Sequence, residues 1–311
     1  MSSVPSRPEP SGPPGGPEDA PDVPDVDALR GALDGVGYLA DDALATALFL
    51  ALRMGQPLLL EGEPGVGKTR AATALAEALG TTLLRLQCYE GLTAGEALYE
   101  WNYPRQLLSI RLAESRGEQL RDADLFTEDY LLARPLLAAI THPGPRPAVL
   151  LIDEIDRADD EFEAFLFEML AESAVTIPEL GTRRAVVPPV AVLTSNRTRD
   201  LHDALKRRCL YHWIGYPDPR RVEEIIRRRV PDAADWLAAR VADAVGRLRG
   251  LELLKPPGVA EAISWTTALG VLGVTELDVA AAERTLGAVL KYDEDAATAR
   301  AAGLAPLIAR A

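Results

Sequence analysis

Eight consecutive residues, Gly62-Glu63-Pro64-Gly65-Val66-Gly67-Lys68-Thr69, fit the pattern G-x-x-x-x-G-K-[ST]. Glycines at this spacing let the backbone curl until successive N–H groups face one point, and a following helix adds the positive end of its dipole. Such a cradle suits phosphate. Lys68 would bridge the terminal phosphates of a nucleoside triphosphate as a point charge, and the Thr69 hydroxyl would be a magnesium ligand. The context agrees, because an apolar run precedes the loop and a helix-forming run continues through Arg70 to Leu79 and Gly80. The nucleotide-binding stretch is therefore taken as Gly62 to Arg70.

A second constellation sits at Val149-Leu-Leu-Ile152-Asp153-Glu154, an apolar strand that ends in two carboxylates. Ligands of open α/β sheets bind outside the carboxyl ends of the strands. Adjacent acids there can divide the work, Asp153 holding magnesium through water and Glu154 orienting and deprotonating an attacking water. The competing reading is a helix cap, where acids are favoured for dipole reasons alone. Val190 to Leu193 likewise runs into Thr194-Ser195-Asn196, and Asn196 could hydrogen-bond the γ-phosphate or the water, or simply occupy a turn. Lys206-Arg207-Arg208 precedes the last apolar run. A guanidinium there could stabilise transition-state charge in a neighbouring subunit, with a solvated basic turn as the alternative.

These groups need a scaffold. Short apolar runs at Pro57–Leu60, Thr82–Gln87, Ala148–Ile152, Val190–Thr194 and Leu210–Ile214 alternate with helical patterns, which predicts a parallel sheet with helices on both faces. Residues 89–147 read as an insertion with helical patches at Arg105–Arg116 and Tyr130–Ile140. Val175–Ile177 and Ala185–Val187 read as a hairpin around Gly181. After Pro217 and Pro219 the pattern turns wholly helical, so residues 217–311 are expected to form a separate domain behind one spanning 28–216. Residues 1–27 are rich in proline, glycine and acid and are expected to be a disordered tail.

Asp and Glu outnumber Lys and Arg by 47 to 33, a net charge of −14, which disfavours non-specific nucleic-acid binding. The two cysteines, Cys88 and Cys209, lack metal-ligand spacing, so reduced thiols, a cytoplasmic address and no zinc site are expected. The most apolar early stretch, Ala43–Leu60, is interrupted by Arg53, Gly55, Gln56 and Pro57, so no membrane span is expected. The four tryptophans are scattered and read as packing residues.

With these motifs in this order, the chain resembles the AAA+ ATPases, specifically the MoxR family. Cys88-Tyr-Glu-Gly-Leu92, Leu98-Tyr-Glu-Trp-Asn-Tyr-Pro-Arg105, Val175-Thr-Ile-Pro-Glu-Leu-Gly181 and Arg207-Arg-Cys-Leu-Tyr-His-Trp213 look like the accessory ATPases of carbon monoxide dehydrogenase and related molybdenum hydroxylases. The resemblance implies an AAA+ core with strand order 5-1-4-3-2 and a small all-α lid. It also implies a helix-2 insert within 89–140 and a pre-sensor hairpin at 174–187, both facing a client. It implies an ATP-hydrolysing hexameric ring acting with a von Willebrand factor A domain protein to mature or activate a metalloenzyme by remodelling it. Lys68, Thr69, Asp153, Glu154 and Asn196 would form the site in cis, with Arg208 or Arg207 reaching in from the neighbour, and Gly37-Tyr38-Leu39 would lie near the adenine. The lid's third helix usually presents a sensor arginine. Here Ala262–Leu269 holds none, and Thr267 is the candidate for its place. The alternatives are a nucleic-acid-stimulated motor of the same fold and a nucleotide-gated scaffold with little hydrolysis.

Overall fold

The computed structural model describes residues 23–309, so most of the expected tail lies outside the described residues. Helix α1 (Val26–Gly35) starts two residues before the expected boundary at 28. The Asp25 carboxylate accepts the Ala28 amide at 2.8 Å and caps it there. Helix α2 (Asp42–Met54) is capped by Asp41 and ends at Gly55 in the left-handed region, which lacks steric cost for glycine.

Five parallel strands follow, β1 (Leu58–Gly62), β2 (Leu83–Gln87), β3 (Val149–Asp153), β4 (Val190–Ser195) and β5 (Leu210–Ile214). Their order is β2-β3-β4-β1-β5, the expected order read from the opposite edge. The central strands β1, β3 and β4 are buried along their whole length, as continuous apolar runs require, whereas the edge strands β2 and β5 are partly exposed. Alternate residues feed two cores. Leu58, Leu60, Leu151 and Val192 pack against α1, α2 and α3 (Lys68–Leu79). Leu59, Leu150, Ile152 and Leu193 pack towards α4 (Asp160–Glu172) and the insertion.

Register brings the chemistry to one edge. Gln87 pairs with Asp153, Leu60 with Thr194, and Gly62 with Ile214, so the candidate groups emerge side by side at the carboxyl ends of the strands.

Two expectations for the excursions need correction. The patch expected to be helical over Tyr130–Ile140 is helical only from Pro135, because a residue preceding proline is pushed out of the α region. Leu131–Ala133 instead pairs antiparallel with Tyr99–Trp101. In the hairpin the second strand is Gly181–Arg184, not 185–187. Leu180 N–H donates to the Ile177 carbonyl and Gly181 takes φ +77°, closing a tight turn that brings Gly181 opposite Ile177.

Helices α5 (Pro219–Arg229), α6 (Asp235–Leu248), α7 (Val259–Val271) and α8 (Val279–Val289), with two short helices behind them, enclose a third core around the buried Trp265. Trp101 is buried as expected. Trp213 and Trp236 are not, and the Arg197 guanidinium lies 5.9 Å from the centre of the Trp213 ring. No helix among the described residues is long and apolar enough to cross a membrane.

The close approach of β1 to β5 is testable. A β-carbon at Gly62 would stand 2.2 Å from the Ile214 carbonyl oxygen, a main-chain atom that cannot swing away. Gly62→Ala is expected to destabilise the fold by about 2–3 kcal/mol, read as a lowered midpoint in urea unfolding.

Candidate functional site

The loop between β1 and α3 turns through Gly65 at φ +78° and Gly67 at φ +102°. Gly67 is the N-cap of α3 and has no side chain to satisfy the first helical amides, so they remain available to an anion. Lys68 is buried, and its ammonium donates to the carbonyls of Gly62 at 2.6 Å and Glu63 at 2.8 Å. Burial pulls its pKa down, while Asp156, Glu63, Asp153 and Glu154 push the other way. The cation is thus held beneath the loop, one side-chain swing from whatever the loop cradles.

Thr69 opens α3 and faces β3, its hydroxyl 3.0 Å from Asp153 Oδ1 and 3.2 Å from Oδ2. The same carboxylate, almost wholly buried, accepts from Thr194 Oγ1 at 2.5 Å and Arg85 Nη2 at 2.6 Å. Glu154 follows in the left-handed region (φ 56°, ψ 50°), a conformation that costs a non-glycine residue about 1–2 kcal/mol. Its amide is fixed by donation to Thr194 Oγ1 at 2.9 Å, and its carboxylate accepts from Gln87 Nε2 at 3.0 Å and pairs with Arg157 at 3.3 Å. A strained residue at a strand's end, carrying a partly exposed acid, is a familiar way of aiming a functional group.

Asn196 stands beyond β4. Its position is set by Asp156, whose buried Oδ2 accepts from the amides of Asn196 (3.2 Å) and Thr198 (2.8 Å). A cavity of about 1530 Å³ runs along this edge and is lined by Tyr38, Leu39, Gly65–Thr69, Asp153, Glu154, Thr194 and Asn196, with α5 and α7 on its far wall. Burial, helped by the nearby Asp41 charge, pushes the Tyr38 phenol pKa up. A hydroxyl, one carboxylate and room for phosphate oxygens and water form an oxygen donor set that fits magnesium, which binds few protein ligands.

Other expected residues stand apart from this edge. Arg70 is in the cavity wall, but its guanidinium is committed to Glu77 and the Val36 carbonyl. Arg207 and Arg208 are exposed and outside the cavity, and Arg208 stacks on Phe167 with its Cζ 3.8 Å from the ring centre. Thr267 does not take the place of a sensor arginine: it is exposed, donates to the Ile263 carbonyl one turn back, and lies outside the cavity wall. No sequence motif assigns a role to Gln87, Arg85 or Asp156, and Thr194 enters only as part of the polar string that ends at Asn196. Gln87 and Arg85 alternate on an edge strand, and strand pairing is needed to see which acid they meet.

A phosphate loop on β1, an acid pair on β3 and a polar turn on β4, in a sheet of this order, define an AAA+ nucleotide-binding domain. The family model for the AAA domain (dynein-related subfamily) matches residues 57–209. Chaperone MoxR1 of Mycobacterium tuberculosis is 28% identical over 199 residues, covering 61% of this chain and 44% of that protein, so the chain spans less than half of that relative's length. Among solved structures, a Thermotoga maritima RuvB mutant matches with TM-score 0.47 at 21% identity, over 78% of this chain and 66% of the other. The RuvB Holliday junction branch migration motor of the same organism matches with TM-score 0.46 at 19% identity, over 89% and 75%. Residues 57–209 thus carry an AAA domain, and the chain is similar to a MoxR chaperone over the 199 residues aligned with it.

The shared hydroxyl at Thr194 gives a direct test. Thr194→Val keeps the shape but leaves the Glu154 amide without its hydroxyl acceptor and Asp153 Oδ1 with the Thr69 hydroxyl alone, so a loss of about 1–3 kcal/mol in unfolding free energy is expected, together with weaker magnesium-dependent nucleotide binding. Equilibrium denaturation and titration with a fluorescent ATP analogue check both.

Proposed function

We propose that the chain binds ATP with magnesium and hydrolyses it to remodel a protein client. One observation carries this: the Thr69 hydroxyl lies 3.0 Å from Asp153, with Glu154 next along the chain and Lys68 buried beside them. Lys68 and the amides of Gly65–Thr69 bind the phosphates, and Thr69 with Asp153 hold magnesium, which when bound neutralises charge on the phosphate oxygens. Glu154 accepts the proton of the attacking water once it leaves Gln87, and Asn196 orients that water or the γ-phosphate. Tyr38 and Leu39 line the cavity and lie near the adenine.

Residues 28–216 act as the nucleotide-binding domain and 217–311 as its lid. Copies assemble into a ring, a hexamer by similarity, and Arg208 or Arg207 completes the neighbour's site. Their exposure away from their own cavity supports that role. The insertion within 89–140 and the hairpin face the client. The similarity to a protein named as a chaperone supports remodelling rather than nucleic-acid motion. A von Willebrand factor A domain partner and a metalloenzyme client such as a molybdenum hydroxylase follow from the resemblance of the sequence strings, and a cytoplasmic site of action from the two cysteines without metal-ligand spacing.

Phosphate release by purified protein decides the matter. Glu154→Gln is expected to lose about 10²–10⁴ in turnover while still binding Mg-ATP and accumulating as a ring on gel filtration. Lys68→Ala is expected to lose binding itself. A wild-type protein with no magnesium-dependent affinity for ATP would overturn the proposal, and one that binds without turnover would favour the scaffold.

A further inference from the structure

The helical region meets the phosphate loop through main chain. Gly258, the N-cap of α7, lies so close to Gly65 that a β-carbon on it would be 2.9 Å from the Gly65 Cα, carbonyl carbon and oxygen. The next amide, Val259, donates to the Gly65 carbonyl at 3.0 Å. The first turn of α7 carries no arginine. It carries Glu261, whose carboxylate accepts the Gly258 amide at 2.9 Å and caps the helix.

The strap Pro256–Gly258 is held from behind by one half-buried cation. Arg249, at the end of α6, donates through Nε to the Pro257 carbonyl at 2.7 Å and through Nη1 to the Pro217 carbonyl at 3.0 Å. Its Cζ lies 4.5 Å from the centre of the Tyr216 ring, and the Tyr216 hydroxyl donates to the Pro256 carbonyl at 3.4 Å. Tyr216 and Pro217 link β5 to α5 and line the nucleotide cavity. Burial lowers the Arg249 pKa, against the pull of Tyr216 and Glu261, and Nη2 is buried with no partner. A cation packed this way, with no paired carboxylate among the described residues and its Nη2 unused, is a costly means of filling space. Its planar fork does what no apolar side chain can: it joins the linker before α5 to the strap before α7.

We propose that Arg249 is a positioning residue that clamps the Pro256–Gly258 strap onto Gly65, so that the helical region follows the phosphate loop through main-chain contact instead of a cation reaching the γ-phosphate. This rests on the Mg-ATP function proposed above. The Gly65 carbonyl that receives Val259 belongs to the turn whose amides receive phosphate, so movement of that peptide on binding is passed to the strap, and Arg249 passes it on to Pro217 and α5.

Amide exchange across residues 256–265 tests the clamp in the full chain, without nucleotide, with Mg-ADP and with Mg-ATP. The wild-type strap is expected to exchange slowly and to differ between nucleotide states. In Arg249→Lys, which keeps the charge but loses the fork, strap exchange should rise about tenfold and its response to nucleotide should vanish, while β3 and β4 stay protected. A strap in Arg249→Lys that is protected and nucleotide-responsive as in wild type would overturn the proposal. If Arg249→Lys also exposes α6 and α8, Tyr216→Phe decides, because it removes one hydroxyl only: faster strap exchange supports the clamp and unchanged exchange overturns it. A wild type that binds no Mg-ATP would count against the proposed function, and the nucleotide-free comparison would still judge the clamp.

Discussion

A carboxylate taken out of water must find donors or give up its charge, and the carboxyl edge of this sheet is organised around that requirement at Asp153. Its oxygens take hydroxyls from the start of α3 and the end of β4 and a guanidinium from β2, so three separately folded segments converge on one group. Without α3 in place the acid would lack the Thr69 donor. Without β4 in register it would lack Thr194, and with it the hold on the strained Glu154 backbone. Satisfying one charge therefore fixes the relative positions of the groups that face the cavity.

Lesser versions of the same constraint surround it. Asp156 gathers the amides that set the turn at Asn196, while Glu163 is paired with Arg199 and accepts the His202 amide beneath the segment leading to Arg207. Glu61, buried on β1, meets Ser195 and Tyr211 from the strands on either side. These acids contribute to the large negative formal charge, yet they act as fasteners rather than as a repulsive field. Asp156 and Glu163 hold loop ends that would otherwise be free to drift, and Glu61 ties neighbouring strands together.

Much of this was legible in the residues because its signals are local. The five strands announce themselves as apolar runs, and the phosphate loop and acid pair are contiguous strings whose places in the sheet follow from chain order. The strand within Leu131–Ala133 was missed because three residues carry no period, and its partner lies about thirty residues away. The hairpin was set too late because β-propensity at Ala185–Val187 outweighed the turn signal at Gly181. Thr267 was assigned by looking for a residue at a position, whereas what touches the loop is a glycine and an amide, neither of which shows in a search for side chains. Partners from distant strands, Gln87 and Thr194 above all, become visible only once pairing is known.

Gln87 also marks where the site is open to mechanical influence. It is the last residue of an edge strand, and the chain beyond it leaves the sheet for the long excursion that ends at β3. Its amide holds the Glu154 carboxylate, so a tug on that excursion acts one peptide from the group that engages this acid. One side-chain amide therefore joins the far-reaching excursion to the Glu154 carboxylate, without passing through the loop after β1.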